Sequence, residues 1–276
     1  MDTTVRQVEA IDVHAHYGTY VREGDALKGH LMSGGLETVL SRARQARVAL
    51  TVVSPLLGLL PRLEGDPVRA NRETPEAVAS VQGLAYWVLV SPLAPETMAQ
   101  AEELLASPLC AGIKIHPEEH GYPIVRHGEA VLEFAARHRA VVLSHSGDPH
   151  SMPEDFIALA DAFPGVRLIL AHLGNGWDGD MTHQVRAVQA ARHGNVYTDT
   201  SSISSLCSGL IEWAVREIGA HKVLFGTDSP LYHAPAQRAR IDNAEISDED
   251  RYAILRGTAE ALLGLSRPGG LGTWPD

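Results

Sequence analysis

Ile11-Asp12-Val13-His14-Ala15-His16 is the stretch from which the fold of this chain is read. It has the look of a short β-strand running into a loop at Gly18. Alternate side chains of a strand share a face, which puts His14 and His16 on the same side. The same pattern, an apolar run that turns polar just before Gly or Pro, returns along the chain. It closes Gly112-Ile113-Lys114-Ile115-His116-Pro117, Leu143-Ser144-His145-Ser146-Gly147 and Ile169-Leu170-Ala171-His172-Leu173-Gly174. It appears again in Tyr197-Thr198-Asp199-Thr200 and Phe225-Gly226-Thr227-Asp228-Ser229-Pro230.

Between these runs the sequence is helical in period. Strands are predicted over 11–16, 48–54, 84–90, 111–116, 140–145, 167–172, 196–200 and 222–228. Helices are predicted over 36–48, 68–80, 95–106, 129–138, 153–163, 180–193, 206–218, 237–244 and 248–263. Pro95 and Pro153 sit at helix starts, and Gly194, Gly219 and Gly264 at helix ends. Strand and helix alternate eight times, which implies a parallel sheet with crossover helices. Eight units in 276 residues point to a closed (β/α)8 TIM barrel forming one domain over 1–276. Residues 56–60 are apolar between prolines and have no evident place, and 266–276 reads as a surface tail.

Composition removes several classes of function. The net charge of −11 argues against nonspecific nucleic-acid binding, which rests on Lys and Arg contacts to phosphate. There is no run of about 20 apolar residues to span a membrane. The N-terminus lacks the basic segment and apolar core of a secretory signal. Cys110 and Cys207 are the only cysteines; both read as buried or half-buried, and a reducing cytoplasm suits them. A small-molecule substrate is the expected partner, and a homodimer the default assembly.

Among 14 histidines a chance His-x-His is unsurprising. The phase of the other polar residues is what makes the pair informative. His116, His145 and His172 stand 29 and 27 residues apart, and Asp228 lies 56 beyond, two further units. Core histidines have no reason to keep that phase, whereas reactive groups of a barrel lie at the C-terminal strand ends around one mouth. His14, His16, His145 and Asp228 thus supply three imidazoles and a carboxylate. That set suits Zn²⁺, and also Fe²⁺, Mn²⁺ or Co²⁺, with room for water made reactive by the ion. Asp228 can ligate through one oxygen and take a proton with the other, and His172 can serve as acid or base. His116, His120 and Tyr122 read either as substrate contacts or as surface loop residues. Asp199 either orients a neighbouring group or bonds within its own strand end.

Together these segments resemble the amidohydrolase superfamily, most closely its amidohydrolase-2 branch. The resemblance runs through Ile11–His16, Gly112–Pro117, Leu143–Gly147, Ile169–Gly174, Val223–Pro230 and Ile254–Leu265. It implies metal ligation by His14, His16, His145 and Asp228, with His172 as the catalytic histidine. Binuclear relatives carry a carboxylated lysine on the fourth strand. Lys114 stands there, so two ions are implied if it is carboxylated and one if it is not; one is the expectation.

The branch holds both hydrolases and decarboxylases. The expected activity is hydrolysis of an ester, lactone or amide by metal-activated water. The alternative is a metal-dependent decarboxylase of a small carboxylated ring. Only 5% of the chain is aromatic, which gives little sign of a stacking pocket and favours hydrolysis. TatD-type nucleases are also similar, but they place a glutamate where this chain has Lys114.

Overall fold

The eight apolar runs become eight strands, and their order in the sheet is their order in the chain. The computed structural model describes residues 8–22 and 24–264. β1 (Ala10–Tyr17), β2 (Val48–Pro55), β3 (Leu84–Leu89), β4 (Cys110–Ile115), β5 (Val142–Ser144), β6 (Leu168–Leu170), β7 (Val196–Asp199) and β8 (Val223–Leu224) pair in parallel in that order. The gap from β8 to β1 is bridged by Val13 N–H to Phe225 O at 2.9 Å and Asp228 N–H to His14 O at 2.7 Å. The sheet is the TIM barrel that the alternation predicts.

Helices α1 (Ala26–Met32), α2 (Leu36–Gln45), α3 (Pro67–Ala79), α4 (Glu96–Leu104), α5 (Pro117–His120) and α6 (Ile124–His138) lie in the first half of the chain. The second half carries α7 (Ile157–Ala162), α8 (His183–Ala190), α9 (Leu210–Ile218), α10 (Ala234–Asp242), α11 (Asp248–Tyr252) and α12 (Thr258–Leu263). The helical period of 248–263 is real but interrupted, because a π-turn over Ala253–Gly257 separates α11 from α12. The unplaced segment 56–60 forms a single 3₁₀ turn, Leu56–Gly58. No described helix is long and apolar enough to cross a membrane. The expected tail and the N-terminus lie outside the described residues.

Two apolar layers hold the barrel. Outward side chains such as Tyr86, Val88, Ile113, Val142 and Leu168 pack against Val78, Ala101, Leu132 and Ala160 of the helices. The inner layer is Ile11, Val13, Leu50, Val52, Trp87, Leu143, Ile169 and Leu224, joined by Ala259 and Leu262 of α12. Trp87 crosses the interior, and its indole N–H donates to Val13 O at 2.8 Å. These side chains fill the barrel to the level where the polar residues begin.

α6 starts five residues before the predicted helix. Gly128 lies inside it, where a Cβ would collide with Leu159. α8 is shorter than predicted because Asp180 spends its carboxylate on Thr182, accepting from both backbone N–H and hydroxyl. Both cysteines are free thiols; Cys110 is half-buried as expected, but Cys207 is exposed, on the loop between β7 and α9.

Candidate metal centre and cavity

A bulge in β1 sets the site. Asp12 pairs with Thr51, but Ala15 pairs with Val53, so β1 spends one extra residue there. A bulge shifts the alternation of side chains by one. Val13 therefore still belongs to the inner apolar layer, and yet His14 and His16 also turn inward above it. Asp12 clamps the bulge to β8: its carboxylate accepts from His14 N–H at 3.1 Å, Thr227 N–H at 3.1 Å and the Thr227 hydroxyl at 2.5 Å.

His14, His16 and Asp228 bring one donor atom each within 4.8 Å of one another, and all three residues are buried. Their proton arrangement follows from their partners. His14 Nδ1–H donates to Asp199 Oδ2 at 2.9 Å. His16 Nδ1 lies 3.2 Å from the Ser54 carbonyl oxygen, which can only accept, and 3.0 Å from the Ser54 hydroxyl, which can accept as well, so Nδ1–H donates to Ser54. Both Nε2 atoms are therefore lone pairs, and they stand 3.6 Å and 3.1 Å from Asp228 Oδ1. That oxygen is buried and has no hydrogen-bond partner. His16 Nε2 and Asp228 Oδ1 converge with no proton between them, and together with His14 Nε2 they form a donor set that a cation can hold together. The donor set thus fits a divalent ion. His14 is held to about 4, first by burial and then by the Lys114 charge, which keeps it a neutral ligand at neutral pH.

Lys114 is fully buried, and its ammonium donates to His14 Nε2 at 3.0 Å. Burial pushes it down to about 8, against the pull of Asp199 and Asp228. The lysine takes the same lone pair that a metal would take, so ligation of His14 requires Nζ to give up this bond.

His145 is outside the converging trio. Its Nε2–H donates to Asp148 Oδ2 at 2.5 Å, which leaves Nδ1 a lone pair, buried and without a partner. The ring stacks on His116 at 4.1 Å and meets the edge of His172 at 4.8 Å.

His172 turns into the site because its backbone is left-handed, with φ 71°, and Asp228 shares the feature at φ 54°. Such conformations cost non-glycine residues about 1 kcal/mol or more and gather at functional sites. Asp199 Oδ1 accepts the backbone N–H groups of His172 and Ser201, each at 3.0 Å. The Ser201 hydroxyl lies against Asp199 Oδ1, 2.8 Å from His172 Nδ1 and 3.0 Å from His14 Nδ1. One hydroxyl donates once. It donates to the carboxylate and accepts from His172 Nδ1–H, leaving His172 Nε2 as a free base. His14, His172 and Asp199 also lie within metal-binding distance of one another, but the His14–Asp199 hydrogen bond and those of Ser201 to His172 and Asp199 already join these groups. Burial first, then the neighbouring His14 and His145, hold His172 well below the usual imidazole range. Sequence reading flagged Asp199 without choosing its role and missed Ser201. The only signal for Ser201 was the polar run Thr198-Asp199-Thr200-Ser201-Ser202 after an apolar strand.

Gly226 leaves room for this network. A Cβ there would stand 3.1 Å from His14 Cβ and 3.2 Å from Asp199 Cγ and Ser201 Cβ. Gly226→Ala is expected to lower stability by about 1–3 kcal/mol through overpacking. Thermal melting with and without added metal measures the loss, and the metal-dependent part of the shift should shrink.

Above the trio is a cavity of about 240 Å³. Leu56, Leu59, Leu60 and Leu231 form apolar walls, and His116, His172, Asn175 and Tyr232 add polar edges. At its mouth Arg22, from the loop after β1, pairs with Glu119 of α5. Arg62, after β2, pairs with Glu118, whose other oxygen accepts His150 Nδ1–H at 2.8 Å. Loops following β1, β2, β4 and β5 are thereby tied together at the rim.

Comparison with known proteins places this geometry. A family model described as Amidohydrolase matches residues 11–265. A γ-resorcylate decarboxylase from Polaromonas sp. (strain JS666) is 31% identical over 124 residues, 40% of this chain and 37% of that protein. The match thus spans little more than a third of the relative's length. A 5-carboxyvanillate decarboxylase from Sphingomonas paucimobilis superposes with a TM-score of 0.74 at 14% identity, over 94% of this chain and 99% of that one. A dihydroxybenzoic acid decarboxylase from Polaromonas sp. JS666, with bound manganese and the inhibitor 2-nitroresorcinol, gives 0.73 at 16%, over 94% and 98%. At these identities the structural likeness is one of fold. The expected hydrolase activity is corrected here, because these relatives are decarboxylases. The low aromatic content misled: the cavity is lined by the stacked His116 and His145, by Tyr20 and Tyr232 and by leucines, with no Phe or Trp. The match over 11–265, nearly the whole described chain, makes this protein a member of the amidohydrolase family.

Proposed function

We propose that this chain is a metal-dependent decarboxylase acting on a small carboxylated ring. The observation that carries the proposal is the 31% identity to a γ-resorcylate decarboxylase, supported by the converging His14, His16 and Asp228 beneath a small cavity. His14, His16 and Asp228 would hold the ion, with His145 as fourth donor through its free Nδ1. The Asp148–His145 hydrogen bond is the carboxylate–imidazole arrangement that orients metal-ligating histidines. Mn²⁺ is the first ion to test, given the manganese of the Polaromonas structure, with Zn²⁺ second. One ion is proposed, since Lys114 Nζ is engaged with His14 Nε2 as a hydrogen-bond donor.

When bound, the ion supplies a Lewis acid for the substrate's oxygens. The chain's own residues supply the rest. The leucine walls exclude water from the ring, which suppresses competing reactions. In decarboxylation one ring carbon loses CO₂ and gains one proton. His172 Nε2, a free base, would take that proton from solvent and deliver it to the carbon as CO₂ leaves.

The test is product analysis. Protein loaded with Mn²⁺ or Zn²⁺ is given carboxyl-labelled 2,6-dihydroxybenzoate, 5-carboxyvanillate and benzoate, and in parallel a set of lactones and esters. Labelled CO₂ from at least one ring acid is the expected result. Acid release from the lactones or esters with no CO₂ from any ring acid would overturn the proposal.

A further inference from the structure

A second cavity, of about 390 Å³, lies beside the first, between the loops after β1 and β2 and helix α3. Those two loops line both spaces. In the loop after β1, Tyr20 and Arg22 line the first cavity, and Thr19 and Val21, alternating with them, line the second. In the loop after β2, Leu56 and Leu59 line the first, and Leu57 and Pro61 the second. Among the described residues Leu60 alone lines both. It is buried, and the 3₁₀ turn holds it in place: the N–H groups of Leu59 and Leu60 both donate to Leu56 O, at 2.9 Å and 2.8 Å. One leucine side chain thus stands where the two spaces meet.

The second cavity has apolar walls, made by Val21, Pro55, Leu57, Pro61 and Ala70. Its Tyr17 and Glu73 are already engaged. The Tyr17 hydroxyl donates to Thr74 at 2.8 Å, and the Thr74 hydroxyl donates in turn to Ala70 O at 2.8 Å. Glu73 accepts from Arg69 at 2.7 Å. Walls of this kind suit an uncharged alkyl group, which gains about fourfold in affinity for each methylene taken out of water.

We propose that Leu60 is a partition that sets the length of substrate the site accepts. It confines the ring to the first cavity and shuts off an apolar annex that would otherwise take an alkyl substituent of that ring. The proposal rests on the reading of the first cavity as the site of a small ring acid. Leu57, Leu59 and Leu60 make the claim specific. Truncating Leu59 to alanine adds the room of about three carbons to the first cavity alone. Truncating Leu57 enlarges only the annex. Truncating Leu60 removes the same three carbons and joins the two.

Equilibrium binding to the manganese-loaded protein tests it without turnover. The probes are benzoate and its ethyl, butyl and hexyl derivatives, each substituted ortho, meta or para. In the wild type no hexyl isomer is expected to bind more tightly than benzoate. In Leu60→Ala at least one hexyl isomer should bind tenfold or more tighter than benzoate, with affinity still rising from butyl to hexyl. Leu59→Ala should gain for ethyl at most and level off, and Leu57→Ala should follow the wild type. Should the alanine variant unfold, Leu60→Val carries the same prediction at threefold or more. A wild type that already favours a hexyl isomer, or a Leu60 variant whose gain is no larger than that of Leu59→Ala, would overturn the partition. The two readings fail separately. If no ring acid yields CO₂ and yet the chain-length pattern appears, the partition stands and decarboxylation falls. If CO₂ is released and the pattern is absent, only the partition falls.

Discussion

Asp228→Ala is expected to strip the protein of its divalent ion, from about one per chain to less than a tenth after dialysis, and to lower turnover at least a thousandfold. The reason lies in the unprotonated contacts around Asp228 Oδ1. His14 and His16 each spend the Nδ1 proton elsewhere, on Asp199 and Ser54, so both turn bare Nε2 atoms toward it. Removal of the carboxylate leaves the three imidazoles of His14, His16 and His145 and no ligand charge to balance a dication. His172→Ala makes the contrast. It is expected to retain the ion and lose about 10²–10⁴ in turnover, the range for a lost acid–base group. Elemental analysis beside steady-state rates reads both. A D228A protein that keeps a full complement of metal would refute the assignment.

Asp199→Asn is the second large effect. Its carboxylate is surrounded by donors: His14 Nδ1–H on Oδ2, and two backbone N–H groups and the Ser201 hydroxyl on Oδ1. Burial alone would raise this carboxyl, but His14 and His172 hold it well below the usual range, so it is a fixed anion. An amide has one accepting end. Whichever way it turns, an NH₂ faces groups that already donate, and His14 or His172 must change tautomer. Turnover is expected to fall by about two to four orders of magnitude, as when a histidine loses the carboxylate that fixes its tautomer. Stability should drop by about 1–3 kcal/mol for unpaired buried groups. Nitrogen NMR of labelled histidines separates this account from general damage. The parent should show His14 and His172 protonated at Nδ1, and the variant a mixture. An unaltered tautomer pattern together with lost activity would refute it.

Strand-helix alternation was fully legible, because periodicity records which faces are buried. So was the phase that carries His14, His16, His172 and Asp228 to one mouth, since barrel geometry repeats with each unit. Backbone irregularities were not legible. The β1 bulge and the left-handed residues at 172 and 228 arise from contacts between strands far apart in sequence, as in the clamp from Asp12 to Thr227. His145 keeps the predicted phase, yet Asp148, three residues on, takes its Nε2–H. Ser201 showed only as part of the polar run after β7. Its role comes from a hydroxyl's single proton, which spacing does not record.

The ties at the rim have a consequence for how such a protein can change its diet. Arg22, Arg62, Glu118 and Glu119 brace four loops, and Glu119 also lines the cavity. A single substitution that retunes ring preference at 119 thereby strands Arg22 and loosens the collar. Drift toward new substrates should then travel in coupled pairs, 22 with 119 and 62 with 118, while the leucine walls remain free to vary singly.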